Sequence, residues 1–465
     1  MVPIETNYKP KKFSFRDRKN SGVDRAALPM FALTLPLVFE SFFRILISSV
    51  DVMMLSSHSD HAVAGVGLVS QYIFFIQLLF SVVCVGTSIV LSQYLGAERV
   101  NEAKQVAQAS AVMVSAVALF MSLLVIFGAK PLLSIYTVEE EVREAAWTYL
   151  VIYGGFGSLF TAFSMLQGTI LRSYGYTSDA MYISIIANIV NVIGNAFSIY
   201  GFFGFPVLGV MGVAMSSALS QIVACILLAW RIRVKPDVQL PLAGITRVPR
   251  NIYRTILSIG VPTAGESLSY NIAQIVIMAM ISTFGTWAMS AQIYAQTIVR
   301  FVYATASAIG NAVQIKTGYF VGAKQPEAAY KRVYLYQGVG TLISAAAVIL
   351  LNVVKTPIIG LFTKEPEIAA LTSSLLLYSI YIEIGRSVNL ITIPALKGAG
   401  DVRYPVSWGI VSMWLILVGG SHLLGMKMGL GLVGIWIAMG SDEFIRAIAM
   451  LFRWKSKRWQ TKAIV

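Results

Sequence analysis

The chain has 465 residues, 57% apolar and 12% charged, with a net charge of +14; a water-soluble protein carries roughly 45–50% apolar and about 25% charged residues. Apolar runs reach from end to end, which excludes a soluble multidomain protein and identifies a polytopic membrane protein. Its two cysteines, Cys84 and Cys225, both lie inside apolar runs, which argues against a disulfide framework, a cysteine metal site and redox chemistry.

Residues 1–26 carry Lys9, Lys11, Lys12, Arg16, Arg18, Lys19 and Arg25 with neither an apolar core nor a cleavage site, so a cytoplasmic tail is expected rather than a signal peptide. Hydropathy and turn signals then give twelve spans at 27–55, 63–94, 104–127, 143–171, 179–201, 207–231, 252–283, 288–321, 329–353, 368–396, 404–425 and 431–453. Each can cross a hydrocarbon core of ~30 Å at ~1.5 Å per helical residue. The runs lack period-two alternation, which excludes a closed barrel.

With both termini inside, the cytoplasmic segments hold 27 Lys and Arg residues, and the external loops hold five: Lys130, Arg143, Lys355, Lys364 and Lys427. The positive-inside rule therefore predicts a multi-pass protein of the cell (inner) membrane with cytoplasmic termini. Its basic excess is topological, and no nucleic-acid partner is implied.

One offset exposes an internal repeat. Pro36 and Glu40 match Pro262 and Glu266 at +226, and Gly96 in Tyr94-Leu-Gly-Ala-Glu matches Gly322 in Phe320-Val-Gly-Ala-Lys at the same shift. Arg172-Ser-Tyr-Gly matches Lys397-Gly-Ala-Gly at +225, and Gly209-Val-Met-Gly matches Gly431-Leu-Val-Gly at +222. Two six-helix lobes follow, 27–231 and 252–453, related by an axis along the membrane normal. Residues 232–251, with Pro236, Pro241 and Pro249, read as the cytoplasmic linker, and 454–465 as a cytoplasmic basic tail. The fold class is all-α, with a substrate cavity expected where the lobes meet.

No Walker A sequence and no nucleophile or metal-ligand constellation is present, so neither nucleotide power nor an enzyme is indicated. The Gly-x-Gly-x-x-Gly at Gly429–Gly434 lies at the mouth of the twelfth span instead of after a strand, and His58, Asp60 and His61 read as an ordinary external turn. No cofactor or metal is expected.

Ionisable residues inside spans cost ~2.5–3.5 kcal/mol each and are functional candidates by default. Six are acidic (Glu40, Asp51, Glu266, Glu383, Asp442, Glu443) and four basic (Arg44, Arg300, Arg386, Arg446), an interior charge of minus two. Glu40/Arg44, Glu383/Arg386 and Asp442/Arg446 are spaced to pair along one helix face. Asp51 shares the Glu40 face, yet Arg44 lies roughly 6 Å along the axis from Glu40 and ~10 Å from Asp51. Asp51 is thus the candidate for a carboxylate that takes up a proton or a cation; the other reading is an aspartate facing water near its helix end. Asn188, Asn191 and Asn195 form a polar stripe on the fifth span, suited either to interhelical hydrogen bonding or to sharing a proton or sodium ion with a carboxylate. In the second half Gln292, Gln296 and Arg300 make a comparable stripe, expected to face Glu266, Tyr270 and Gln274.

At this point the sequence resembles the multidrug and toxic compound extrusion (MATE) family of antiporters over nearly its whole length. Pro36 is followed fifteen residues later by Val50-Asp51, Gln93-Tyr-Leu-Gly-Ala follows the second span, and Ala395-Leu-Lys-Gly-Ala-Gly-Asp precedes the eleventh. The resemblance implies that Asp51, with Asn191 and Asn195, forms a cation-coupling site in the first lobe. Asn195 stands where some proton-coupled members place a second aspartate. In the second lobe Glu266 and Arg386 depart from the sodium-site pattern, which points to protons instead of sodium.

The expected mechanism is alternating access, with a cationic amphipathic compound held by aromatic side chains and a net negative cavity lined by Glu40, Arg44, Glu266, Tyr270, Gln274, Gln296, Arg300, Glu383 and Arg386. Protonation of Asp51 would then bend the first helix near Pro36, with Pro262 its counterpart. A monomer in the lipid bilayer suffices for this exchange. The alternative is a flippase for a lipid-linked saccharide, which would call on arginine and lysine for the pyrophosphate.

Overall fold

A computed structural model describes residues 25–57, 59–204, 206–238 and 248–465, with only the backbone of Val52 and Phe203. The basic tail up to residue 24, His58 and the centre of the expected linker lie outside the described residues. Among the described residues every regular element is helical, and the twelve long helices fall on the twelve expected spans.

The first lobe consists of α1 (Met30–Ser56), α2 (Asp60–Gly96), α3 (Val100–Leu133), α4 (Glu140–Ser173), α5 (Thr177–Tyr200) and α6 (Gly209–Val234). The second consists of α7 (Arg250–Ser282), α8 (Thr286–Gly322), α9 (Pro326–Val353), α10 (Pro366–Gly398), α11 (Arg403–Lys427) and α12 (Gly431–Lys455). Nine of the described helices are long and apolar enough to cross a membrane by length and composition. The other three, α7, α8 and α12, carry Glu266, Lys316, and Asp442 with Glu443 and Arg446.

Several local departures were not legible from hydropathy. Residues 150–157 of α4 and 413–418 and 421–427 of α11 widen into π turns. A six-residue helix, Lys355–Gly360, occupies the expected loop before α10. Both Gly429 and Gly431 adopt positive φ, so the glycine-rich stretch makes the turn into α12.

An even number of spans leaves the described termini at one end of the bundle, here called the terminal end. There the lobes share apolar cores: Leu33 and Leu37 of α1 pack with Ala308 and Ala312 of α8, and Ile252, Ile256, Ile315 and Tyr319 join the first lobe's main core. At the far end the cores are separate. Met54, Leu55, Ile199 and Val213 cluster within the first lobe, whereas Ile281, Ala288, Leu375 and Leu432 cluster within the second.

Glycine makes the shared end possible, by letting backbones approach as small residues do between membrane helices. A Cβ on Gly96 would stand 2.3 Å from the Tyr319 carbonyl, and one on Gly322 would stand 2.0 Å from the Gln93 carbonyl. Since Gln93 and Tyr319 are related by the same repeat shift as the two glycines, this is a single contact made twice about the pseudo-twofold axis. Gly322→Ala should therefore cost about 1–3 kcal/mol, the usual overpacking penalty, seen as a lower melting temperature of the purified protein. Gly338→Ala, inside α9 where a Cβ meets nothing within 4 Å, should not lower the melting temperature and should raise it slightly through helix propensity.

Candidate functional site

The site is built on α1. Its terminal half is fixed by Leu33 and Leu37 against α8, so the next turns present Glu40 and Arg44, and later Asp51, to the first lobe's interior. Glu40 is buried; its Oε1 accepts from Arg172 at the end of α4 and lies 3.6 Å from Arg44. The two arginines and Glu40 line a cavity of about 490 Å³ together with Gln77, Tyr153, Asn188, Gln221, Asn311 and Gln314. Five helices of the first lobe contribute to the wall, and α8 of the second closes it.

Asp51 stands apart from these charges. Asn195 Nδ2 donates to its Oδ1 at 2.9 Å. The Asn191 amide, turned so that its nitrogen faces the carboxylate, lies 3.1 Å from both Asp51 oxygens, while its oxygen accepts from Ser217 Oγ at 3.1 Å and Ser217 N at 3.3 Å. That orientation is the one in which donors meet acceptors throughout. Two members of the α5 stripe thus reach Asp51, whereas Asn188 points into the cavity.

The second lobe holds its carboxylates with cations. Lys397 Nζ lies 2.6 Å from Glu266, joining α10 to α7. Arg386 pairs with Glu383 on its own helix and reaches Glu443 of α12 at 3.1 Å, and Asn389 donates to Glu443 Oε2 at 2.8 Å. Arg446 pairs with Asp442 and donates to Ser412 Oγ at 3.2 Å. Gln292 turns to Trp436 of α12 instead of towards α7. Of the nine residues expected to line the cavity, Glu40 and Arg44 do, whereas Glu266, Tyr270, Gln274, Gln296, Arg300, Glu383 and Arg386 do not; Gln274 and Gln296 are half-buried, and Tyr270 and Arg300 are exposed.

The pairs expected along single helices are all present, but the interior charge of minus two is not. Arg172 and Lys397, assigned by sequence to span ends, reach in to Glu40 and Glu266, so among the described residues five of the six in-span acids meet a cation, Asp51 being the exception. Their signal was in the sequence, since Arg172 and Lys397 are repeat partners, as are Glu40 and Glu266. Gln77 carried no comparable signal, whereas Ser217 and Gln221 stand at i,i+4 on α6 and share one helix face. His61 lies 3.2 Å from Glu139 at the start of α4; its expected neighbour His58 lies outside the described residues. Among the described residues no cluster of His, Cys, Asp and Glu is arranged to hold a metal ion.

A buried pair broken on one side leaves an uncompensated charge, at a cost of about 3–5 kcal/mol, whereas removing both members is near neutral. Lys397→Met should accordingly destabilise the protein by that amount in thermal or denaturant unfolding. Adding Glu266→Gln should recover most of the loss, and equal losses in the single and double variants would rule the pair out.

Comparison with known proteins gives the following. The MatE family model matches residues 36–197 and 262–420, two stretches that begin at the repeat-related Pro36 and Pro262. A protein of Bacillus subtilis described as an uncharacterized transporter, YisQ, is 37% identical over 94% of this chain and 95% of its own length. A probable multidrug resistance protein, NorM, of Thermotoga maritima is 24% identical over 99% of this chain and 97% of its own. Among solved structures, a MOP superfamily transporter from Pyrococcus furiosus, reported with a binding pocket of reversed polarity, superposes with a TM-score of 0.85 at 21% identity, covering 94% of this chain and 96% of that one. An outward-facing multidrug resistance transporter of the MATE family gives 0.85 at 21% identity, covering 95% and 97%.

Proposed function

The chain belongs to the MatE family, the multidrug and toxic compound extrusion proteins, and from that premise we propose that it exports small amphipathic organic compounds in exchange for protons by alternating access. Asp51 carries this reading. Of the six in-span carboxylates, it is the one bonded to amides where the other five meet an arginine or lysine. A carboxylate faced only by neutral dipoles can gain and lose a proton without leaving a buried cation uncompensated.

The terminal end faces the cytoplasm of a cell (inner) membrane under the positive-inside rule, and one chain acts as the transporting unit. Closure at that end with separate cores at the other is the outward-facing arrangement. Substrate enters the cavity beside α1, and protonation of Asp51 changes the bonding of α1 to α5 and reshapes that cavity, with Pro36 as the bending point. Sodium in place of the proton is distinguished by the gradient that drives transport.

The cationic preference can no longer draw on a net negative interior, and in the described cavity the aromatic surface is Tyr153. It rests instead on Glu40, the one carboxylate among the residues that line the cavity. A lipid-linked saccharide flippase would draw on Arg44 and Arg172, but Glu40 engages both.

The test is purified protein in liposomes loaded with a fluorescent organic cation, with proton and sodium gradients imposed separately. Transport should follow the proton gradient, and Asp51→Asn should lose it entirely while keeping the wild-type melting temperature. Gradient-driven transport by Asp51→Asn at the wild-type rate would reject Asp51 as carrier.

A further inference from the structure

The two signature segments 93–97 and 395–401 touch neither the cavity nor Asp51, yet they meet each other at the terminal end. Gln93, the first residue of one, is fully buried, and its Nε2 donates to the carbonyl of Gly398 in the other at 2.8 Å. Its Oε1 is also taken: the backbone N–H of Ile464 donates to it at 2.8 Å. One side chain of the first lobe therefore binds two backbone groups from the second-lobe half of the chain.

The segment that brings Ile464 there is itself anchored at both ends. Beyond α12 the chain turns at Lys457, a non-glycine residue at φ +57, whose Nζ lies 2.6 Å from Glu327 at the start of α9. Trp459 is fully buried in the second lobe, stacked on Trp454 with ring centroids 4.2 Å apart, and its Nε1 donates to the Trp454 carbonyl at 3.0 Å. The chain then crosses the turn between α10 and α11 so closely that a Cβ on Gly400, at φ +94, would stand 2.2 Å from the Lys462 carbonyl. It finishes with Ile464 packed against the core of the first lobe.

We infer that residues 456–465 form a strap that fastens the second lobe to the first at the terminal end, with Gln93 as its catch. The closed contact lies directly beneath: Gly96 and Gly322 admit the Tyr319 and Gln93 carbonyls, and Ser92 packs on Gly318. Parting the lobes at this end strips Gln93 of Gly398 unless the strap yields, and an amide left buried without partners costs more than the bond itself was worth. The strap therefore biases the protein towards the state closed at the terminal end and sets how readily that end opens, without touching substrate or coupling ion.

The reporter is a thiol at position 92, where the side chain is fully buried under Gly318. Ser92→Cys is placed in the full chain with Cys84→Ser and Cys225→Ser, reconstituted in lipid nanodiscs, and the rate of modification by a membrane-impermeant maleimide is measured. Ile464→Pro removes the N–H that Gln93 accepts, and Ile464→Asp keeps the N–H while removing the apolar anchor. Labelling should rise about fivefold in Ile464→Pro, the population change that one net hydrogen bond supplies, and should also rise in Ile464→Asp through the lost apolar contact, with melting temperatures close to the parent. Labelling unchanged in both variants overturns the strap, and so does a rise accompanied in both by loss of the cooperative melt, which would make the segment a support of the fold. The readout needs neither substrate nor gradient, so it is independent of the identity of the carrier.

Discussion

An unpaired charge is costly in hydrocarbon, and this constraint organises each lobe. Glu40 on α1 is held by Arg172 of α4, and Glu266 on α7 by Lys397 of α10. Both pairs join the first helix of a lobe to the fourth, and both follow the sequence repeat. The same requirement gathers Glu383, Glu443, Arg386, Asp442 and Arg446 into a second-lobe cluster in which every carboxylate meets a guanidinium. These pairs are a poor source of net stability, since desolvation offsets most of their attraction, but breaking one side is costly. They therefore fix which helices belong together within a lobe.

Between lobes a different interaction takes over. No ion pair is needed where Gly96 and Gly322 let α2 and α8 bring their backbones together, and where Leu33 and Leu37 meet alanines of α8. Tyr319 Oη donates to the Ser173 carbonyl and Lys316 Nζ to the Leu28 carbonyl, so α8 also grips the first lobe through backbone acceptors. Such contacts come apart without exposing a charge. Lobes welded internally by ion pairs, and touching one another through glycines, carbonyls and small apolar side chains, are suited to rocking as units.

The sequence carries the repeated helical framework because hydrophobic length and the +226 shift are properties of the chain alone, and twelve spans follow from them. The grouping of Asp51 with Asn195 and Asn191 is what the family resemblance implies; the stripe alone leaves it open, since its third member, Asn188, turns to the cavity. What the sequence hides is anything that depends on depth and direction. Arg172 and Lys397 sit at span ends, where hydropathy assigns them to water, and only their long side chains, reaching back along the helix, take their charge inward. Gln292 shows the other failure: its stripe neighbours α7 in the sequence, but Trp436 of α12 is what it bonds. The π turns of α4 and α11 leave no mark at all, because their composition does not differ from that of an ordinary span.

The contrast between the two ends of α1 is what makes exchange physically reasonable. Towards the terminal end, Glu40 is committed, its Oε1 shared between Arg172 and Arg44. About three turns further along the same face, Asp51 is hydrogen-bonded to the Asn195 and Asn191 amides, so a proton there changes hydrogen-bond polarity without stranding a paired cation. The Asn191 amide can answer that change by turning, because its nitrogen serves a carboxylate and its oxygen would accept from the protonated acid, with Ser217 able to donate or accept in return. A helix held by an ion pair at Glu40 and by reversible dipoles at Asp51 can change its bonding at the second point while the first stays intact. That is the asymmetry the proposed coupling requires of α1, and it follows from which partners each carboxylate was given.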